Sequence, residues 1–569
     1  MNKLKTLQDF MKKHDLSALL IPRTDEFQGE YIASYSQRLA WLTGFTGSAG
    51  FAVVAKDKAA FFTDGRYVLQ AKNEVPNVYE QYNISQKNPS QWVLENLAAH
   101  EKIGYDPWLF TEDQLKKYDR PLVPLTPNPI DHLWIDRPAP PQDSIRLHPL
   151  EYAGEDDQSK RRRIAASLKA DQLLLTTCDS IAWLLNIRGN DVPHTPVVHS
   201  ICLLRRDGSY DLFVDPRKAN DAILHHLQKT GGQLIDISQV LPHLQKMEGF
   251  CQIDPQTTPM ILLQTLEQAG VKIVRERDPC LYPKALKNAV ELKGAREAHI
   301  QDGIALCRFF EWLHKQPLEG ETTERLAAKK LLEFRKEGYL FQDLSFGTIS
   351  GFGAHGAIIH YHATPESDIP LKRDGLYLLD SGGQYLTGTT DVTRTIALGT
   401  PTPEQKDRYT RVLKGHIALA KAIFPEGTTG AQLDSLARQF LWKVGCDYDH
   451  GTGHGVGSYL SVHEGPQGIS KWASDVPLKP GMILSNEPGY YKEGEYGIRI
   501  ENLVTVIELP ELPGFYGFET LTLAPLDLKL IEDRLLTDGE RAWVEKYHER
   551  IRETLTQHSD RHPIPGGVG

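Results

Sequence analysis

The chain has 569 residues, 40% of them apolar and 24% charged, with a formal net charge of −10. This is the composition of an ordinary soluble globular protein. Its acidic balance argues against a polyanion partner such as nucleic acid and gives no sign of a membrane-surface role. The length exceeds what one core fills, and roughly 100–200 residues per domain sets an expectation of about three to five domains.

The N-terminus, MNKLKTLQDFMKKHDLSALLI, has the apolar spacing of an amphipathic helix leading into a short strand. No apolar block precedes a small-residue cleavage site, so no secretory signal is expected. No run approaches the length of a membrane span. Cys178, Cys202, Cys251, Cys280, Cys307 and Cys446 are scattered, without a CxxC pair. Scattered thiols fit a reducing, cytoplasmic setting better than a disulfide scaffold.

The first half carries a faint internal repeat. Leu19-Leu20-Ile21 runs on to Asp25 and then to Ala40-Trp41-Leu42, ending near Gly44. Leu173-Leu174-Leu175 runs on to Asp179 and then to Ala182-Trp183-Leu184, ending near Gly189. This predicts two related α/β domains in tandem, residues 1–152 and 153–284. Between them RPAPPQDSIRLHPLE carries Pro138, Pro140, Pro141 and Pro149. Proline fixes φ and removes a donor, so an extended linker is expected there. The basic run Lys160-Arg161-Arg162-Arg163 reads as the solvated first turn of a helix rather than a nucleic-acid patch.

A third unit is expected over 285–569. NAVELKGAREAHIQDGIALCRFFEWLHK has helical apolar spacing, and a second helix is predicted over Glu321–Glu337. Thr402-Pro403-Glu404-Gln405 forms a capping box with proline at the first helical position. Leu413, Ile417, Ala420 and Phe424 fall on one helical face, and Leu433, Leu436, Ala437, Phe440 and Leu441 mark another helix. Strand-like runs occupy Leu376–Leu379, Asp391–Leu398, Met482–Ser485 and Gly497–Ile507. Locally paired strands with helices grouped between them point to an α+β domain with a curved, largely antiparallel sheet. The last stretch, SDRHPIPGGVG, is expected to be disordered.

Three segments of this unit carry chemistry. In LYLLDSGGQYLTGTTDVTRTIAL an apolar strand ends at Asp380, Ser381-Gly382-Gly383 supplies a turn, and a second strand resumes near Thr389. A hairpin brings Asp380 and Asp391 together, with Thr393 and Thr395 on the face of Asp391. Two unpaired carboxylates on one wall repel unless a cation lies between them; a turn-capping Asp and a surface Asp would give the same string. In HGTGHGVGSYLSVHEGP three imidazoles, His450, His454 and His463, are spaced by Gly451, Gly453, Gly455 and Gly457. Those glycines make a helix improbable and open backbone conformations closed to other residues. In SNEPGYY, Glu487 leaves a strand into a Pro-Gly turn. In YGIRIENLVTVIE, Arg499 and Glu501 are two apart and face one way, as site groups or as a structural ion pair. Asp380, Asp391, His454, Glu487 and Glu501 together form a hard-donor set that suits two divalent cations with open positions. Two such cations can hold a hydroxide and polarise an amide carbonyl, the chemistry of a metal-dependent hydrolase.

This ordered set resembles that of the pita-bread metallopeptidases. The strings IIHY, DSGGQY, GTTDVTRT, HGTGHGVG, VHEGP, NEPGYY and GIRIEN are similar to those of the long, three-domain aminopeptidase P (Xaa-Pro aminopeptidase) type. The resemblance extends to EYIA, GFTGSAG and TDGRY in the first domain, IAWLLNIRG in the second and LTLAPLDLKLI near the C-terminus, so it spans nearly the whole chain. It implies a pita-bread catalytic domain behind two creatinase-like α/β domains. It also implies that Asp391 and Glu501 bridge two metal ions, that Asp380 completes one shell, and that His454 and Glu487 complete the other. His360, in GAIIHYHATPE, matches a substrate-binding histidine, with His362 as a competitor. His463 matches a second one, which contacts the scissile region or the oxyanion. Arg499 would sit behind the cluster or at the substrate wall. Leu386-Thr387 stand where related chains often carry charge, which is loop variation.

The implied reaction removes the N-terminal residue from peptides with proline in second position. A hydroxide bridging the two ions attacks the carbonyl, His463 helps stabilise the oxyanion, and Glu487 shuttles the proton to the departing nitrogen. The resemblance implies manganese, while hard ligands alone also admit cobalt, iron or zinc. A homodimer is implied by the family only. Three rivals stand beside this reading: a prolidase-type Xaa-Pro dipeptidase, a metal-free creatinase-type amidinohydrolase, and a non-catalytic peptide- or histone-binding module of the same fold. The last two lack ligands that this chain retains.

Overall fold

The computed structural model describes residues 2–472 and 475–558. The segment SDRHPIPGGVG lies outside the described residues. The residues up to Leu150 form one compact unit with Glu155–Cys280, and Glu151–Gly154 with the residues from Leu281 onward form the other. No helix among the described residues is long and apolar enough to cross a membrane.

The first unit holds two six-stranded sheets. The order in one is Tyr79–Asn83, Ala59–Thr63, Phe51–Ala55, Ala18–Pro22, Ile103–Tyr105, Leu122–Pro124; in the other it is Gly232–Asp236, Tyr210–Val214, Ile201–Arg205, Gln172–Leu175, Phe250–Ile253, Lys272–Arg275. Taken in that order, the neighbouring pairs of both sheets run parallel, antiparallel, antiparallel, parallel, parallel. The repeat is therefore structural: Leu19–Ile21 and Leu173–Leu175 lie on equivalent inner strands. Ala40-Trp41-Leu42 lies on the helix Arg38–Thr43 and Ala182-Trp183-Leu184 on the helix Cys178–Leu185. The apolar runs are continuous because both faces are covered. Leu19 and Ile21 join one buried cluster, Ala18 and Leu20 the other. Gly44 caps its helix at φ +80, whereas the second helix ends on left-handed Asn186 rather than at Gly189. The proline segment runs without regular structure to a short strand, Arg146–Leu147, paired with Ile187–Arg188.

The basic run differs from expectation. It lies within the helix Asp157–Ala166, and Lys160 and Arg161 are buried, 2% and 3% exposed. Lys160 Nζ donates to the Trp183 carbonyl (3.0 Å) and to Asn186 Oδ1 (2.7 Å). Arg161 donates to the carbonyls of Gly208 and Thr230 and to Asp157 Oδ2 at 2.9 Å. These cations tie off loop carbonyls that would otherwise be buried without donors.

In the second unit Asn288 caps the helix Ala289–His314 in a reciprocal box with Glu291. The helices Glu324–Lys336, Pro403–Ala420, Gly430–Trp442 and Asp538–Gln557 follow, and the capping box at Thr402 forms as predicted. Two ends differ. Glu319–Thr323 is a strand, with Thr323 capping the next helix. Phe424 leaves the helical face for the short strand Phe424–Pro425, because the helix stops at Ala420. The strands form antiparallel sheets: Ile349–Phe352, Gly375–Ser381 and Val392–Leu398 make one, and Phe424–Pro425, Phe515–Thr520, Asn502–Glu508 and Ile483–Asn486 another. Leu376, Tyr409, Leu413, Ile417, Leu441, Ile498 and Ile500 share one core cluster. Each buried side chain of this kind contributes about 1.5–3 kcal/mol.

Adjacent arginines separate burial from charge. Arg161→Ala leaves Asp157 and two loop carbonyls without their donor, and is expected to destabilise the first unit by about 3–5 kcal/mol. Arg162→Ala, at an exposed position, is expected to stay within about 0.5 kcal/mol of the parent. Urea unfolding measures both, and equal midpoints would contradict the burial argument.

Candidate metal centre

Asp380 lies in the strand Gly375–Ser381, where its cross-strand partners are Thr393 and Ile349. Asp391 immediately precedes the strand Val392–Leu398. The hairpin is present, with an excursion: Gly383–Tyr385 and Gly388–Thr389 pair with each other between its arms. A Cβ on Gly382 would lie 1.9 Å from the Thr390 carbonyl oxygen, so only glycine lets the excursion close and return Asp391 beside Asp380. Thr393 Oγ1, on the site face, donates to Glu501 Oε2 at 2.7 Å.

His454 sits on the short strand Gly453–His454, paired with Gly468–Ile469. Its amide donates to Ser485 Oγ (2.9 Å), and that hydroxyl donates to Glu487 Oε1 (3.1 Å). Its Nδ1 donates to the Gly455 carbonyl at 3.0 Å, which leaves Nε2 facing the carboxylates. Nε2 lies 3.4 Å from Asp391 Oδ2 and 3.5 Å from Glu487 Oε1. Gly451, Gly453, Gly455 and Gly457 all keep negative or extended φ, contrary to the reading of unusual conformations. At Gly453, Gly455 and Gly457 the role is close approach: a Cβ on Gly453 would lie 2.0 Å from the Ser485 carbonyl oxygen.

The predicted strand Gly497–Ile507 is broken. Tyr496–Arg499 pairs with Gly489–Lys492, whereas Asn502–Glu508 pairs with Ile483–Asn486 and Phe515–Thr520. Ile500 and Glu501 form the joint between two sheets, so Arg499 and Glu501 do not share a strand face. Both still reach the cluster. Arg499 Nη2 lies 2.6 Å from Asp380 Oδ2, Nε donates to Thr393 Oγ1 (3.0 Å) and Nη1 to the Tyr491 hydroxyl (2.6 Å). At 1% exposure Arg499 stands behind Asp380.

Candidate ligand atoms of Asp380, Asp391 and Glu501 all lie within 4.8 Å of one another, as do those of His454, Glu487 and Glu501. The five residues singled out as ligands thus fall into two groups that share Glu501. A third group joins Asp391, His454 and His463, whose ring packs edge-on against His454 at 4.4 Å. The electrostatics fit cations. Asp380 Oδ1 and Asp391 Oδ1 are buried with no hydrogen-bond partner among the described residues. Burial pushes the Asp380 carboxyl up to about 7 despite Arg499, with Asp391 adding repulsion. Burial and then the Asp391 charge push Glu501 well above the carboxylate range, and burial raises Glu487. Burial disfavours a charged His454, but the hydrogen bond to Asp391 and the charge of Glu487 override it and raise the imidazole to about 9. Four clustered carboxylates, three of them pushed toward their protonated forms for want of countercharge, are the donor set of a divalent-cation pair.

His360 follows the turn Gly353–Ala357, half-buried, and the carbonyl of its neighbour Ile359 accepts from Arg499 Nη2 at 3.4 Å. His362 is exposed. His450 is not in the cation groups; its Nε2 meets the Tyr491 hydroxyl at 2.8 Å. Tyr491 and Ser485, which orient Arg499, His454 and Glu487, were not singled out by the sequence analysis. Their only signal was proximity to Glu487 in SNEPGYY.

Residues 293–508 match metallopeptidase family M24, and 514–562 match the C-terminal region of that family. Residues 3–133 and 136–291 each match a creatinase/prolidase N-terminal domain. Aminopeptidase P2 of Arabidopsis thaliana is 40% identical over 593 aligned positions, covering 95% of this chain and 83% of that protein. A probable Xaa-Pro aminopeptidase P of Laccaria bicolor is 40% identical, with 96% and 89% covered. The crystal structure of an X-prolyl aminopeptidase from Caenorhabditis elegans, described as a cytosolic enzyme with a di-nuclear active site, superposes with a TM-score of 0.92 at 34% identity, covering 96% of this chain and 93% of that one. An Xaa-Pro dipeptidase from Bacillus anthracis shares the fold, with a TM-score of 0.53 at 23% identity, covering 66% of this chain and 99% of its own. A likeness this close over nearly the full length, with the creatinase-like domains and the pita-bread domain in order, means that the chain belongs to the Xaa-Pro aminopeptidase P family of M24 metallopeptidases.

Proposed function

We propose that this chain is a manganese-dependent aminopeptidase that removes the N-terminal residue from peptides with proline in second position. The observation that carries the reading is the sharing of Glu501 by two donor groups, Asp380–Asp391–Glu501 and His454–Glu487–Glu501. Asp391 and Glu501 would bridge two cations, Asp380 would complete one shell, and His454 and Glu487 the other. When bound, such a pair supplies an activated water at neutral pH and polarises the scissile carbonyl.

The chain's own groups do the rest. His463, packed on His454, donates to the carbonyl oxygen as it gains negative charge. Glu487 shuttles the proton to the departing proline nitrogen. His360 binds the peptide. Arg499, behind Asp380, keeps that carboxylate oriented. An Xaa–Pro amide lacks an N–H and has a fixed φ, so a dedicated pocket is required. The reading includes three domains, 1–152, 153–284 and 285–569, a homodimer, and a cytoplasmic location. The six-stranded sheets of the first unit support the first two domains, and the cytosolic relative supports the location.

Length preference separates aminopeptidase from dipeptidase. Manganese-loaded protein is expected to cleave Arg-Pro-Pro and to cut Arg-Pro far more slowly; preference for the dipeptide would identify a prolidase. His463→Ala should retain two ions per chain by elemental analysis yet turn over about 100-fold more slowly or worse, and near-normal turnover would contradict the assigned role.

The electrostatics add a pH dependence. Asp380 sits near 7 in the metal-free fold, against an ordinary 3.8. Between those values the folded state binds a proton that the unfolded chain has released, so metal-free stability falls as pH rises. His454, raised from 6.5 to about 9, has the same sign over its own window. Cations replace these protons, so the gap in melting temperature between manganese-saturated and chelator-stripped protein should widen from about pH 5 to about pH 8. A gap independent of pH would refute the account.

A further inference from the structure

Glu324 opens the helix Glu324–Lys336 and is completely enclosed, at 0% exposure. Its carboxylate is saturated by one stretch of chain. The Phe352 amide donates to Oε1 at 2.7 Å, His355 Nδ1 lies 3.0 Å from both oxygens, and the Tyr361 hydroxyl donates to Oε2 at 2.9 Å. The His355 ring stacks on Tyr361 with centroids 4.3 Å apart. Ser350 Oγ donates to the Glu324 carbonyl oxygen at 2.7 Å. Burial keeps the Tyr361 phenol above its ordinary range, so it remains a donor.

Burying a carboxylate is unfavourable unless its lone pairs are met. Here they are met by residues 352–361, the segment that presents His360. On the other side of His360, the Ile359 carbonyl accepts from Arg499 Nη2, the nitrogen that also reaches Asp380 Oδ2. His360 therefore stands between two anchors, one belonging to the metal centre and one to Glu324.

We propose that Glu324 is a positioning residue for peptide binding: its carboxylate fixes the turn of residues 352–361 and thereby sets the His360 imidazole relative to the metal centre. This rests on the reading of His360 as a substrate-binding group. Glu324 touches neither metal nor peptide, so its removal should leave the ions in place and act through His360 alone.

The test is a double-mutant cycle on the manganese-loaded, full-length protein with Arg-Pro-Pro as substrate. Glu324→Gln offers one acceptor oxygen where two are used. It should keep two manganese ions per chain by elemental analysis and lose about tenfold or more in kcat/KM, mainly through KM. Tyr361→Phe removes a single hydrogen bond and should shift KM in the same direction by a smaller factor. In a His360→Ala background, Glu324→Gln should cost no more than about a further twofold. Normal kinetics for Glu324→Gln, loss of the ions, or an undiminished penalty in the His360→Ala background would each overturn the proposal. An unimpaired His360→Ala would remove the reading of His360 itself, and an impaired Glu324→Gln beside it would show that Glu324 acts by another route. Should Glu324→Gln fail to fold, Tyr361→Phe carries the cycle, and its equality with the parent overturns the proposal.

Discussion

Four carboxylates held in one enclosed space repel one another, and the catalytic unit is organised around that repulsion. Asp380, Asp391, Glu487 and Glu501 face two cationic groups, Arg499 and His454. Without countercharge, burial pushes the carboxyls of Asp380, Glu487 and Glu501 toward their protonated forms. A pair of divalent ions answers the same need with more charge and with fixed directions. The chemistry assigned to the site and the electrostatic strain within it have one source.

The scaffold withstands that strain because little of the cluster depends on side-chain freedom. His454 is fixed by its own amide on Ser485 and by Nδ1 on Gly455. Glu501 is fixed by the Thr393 hydroxyl, and its amide donates to the Thr393 carbonyl at 3.2 Å. Missing Cβ atoms at Gly382 and Gly453 let whole backbones approach where larger residues would hold them apart. Arg499 links three of these parts, reaching Asp380, Thr393 and Tyr491. Removing one spoke shifts several ligands together, so the contributions of these residues are not additive.

Much of this was legible in the chain. Ligand-bearing segments announce themselves by acidic or imidazole residues set between apolar runs and turn residues, as in LLDSGG and SNEPG. Family resemblance supplied the roles. Tertiary pairing escaped. Through GIRIENLVTVI apolar residues recur on both sides of the polar pair Glu501-Asn502, and Ile498, Ile500 and Val504 are all fully buried. That polar pair was the one local sign of the joint, and reading the run as a single strand passed over the end of one sheet at Arg499 and the start of another at Asn502. The basic run at Lys160 misled for a related reason. Charge suggests solvent, but besides Asp157 on its own helix the acceptors of Arg161 are carbonyls 47 and 69 positions away in sequence, and no local pattern records those two. Gly453, Gly455 and Gly457 were read as torsional freedom when their use is proximity, a property of the neighbour rather than of the residue.

The interruption at Ile500 and Glu501 has a consequence for assembly. Contributors to the cluster come from the sheet of Gly375–Ser381, from that of Asn502–Glu508, and from the small pairing at Gly453–His454. No partly formed intermediate lacking one of them possesses the complete cage. Cation affinity then becomes a property of the finished domain alone, and by mass action a cell's free metal pool would selectively populate chains whose topology is complete. In that sense metal binding would favour the completed domain by mass action.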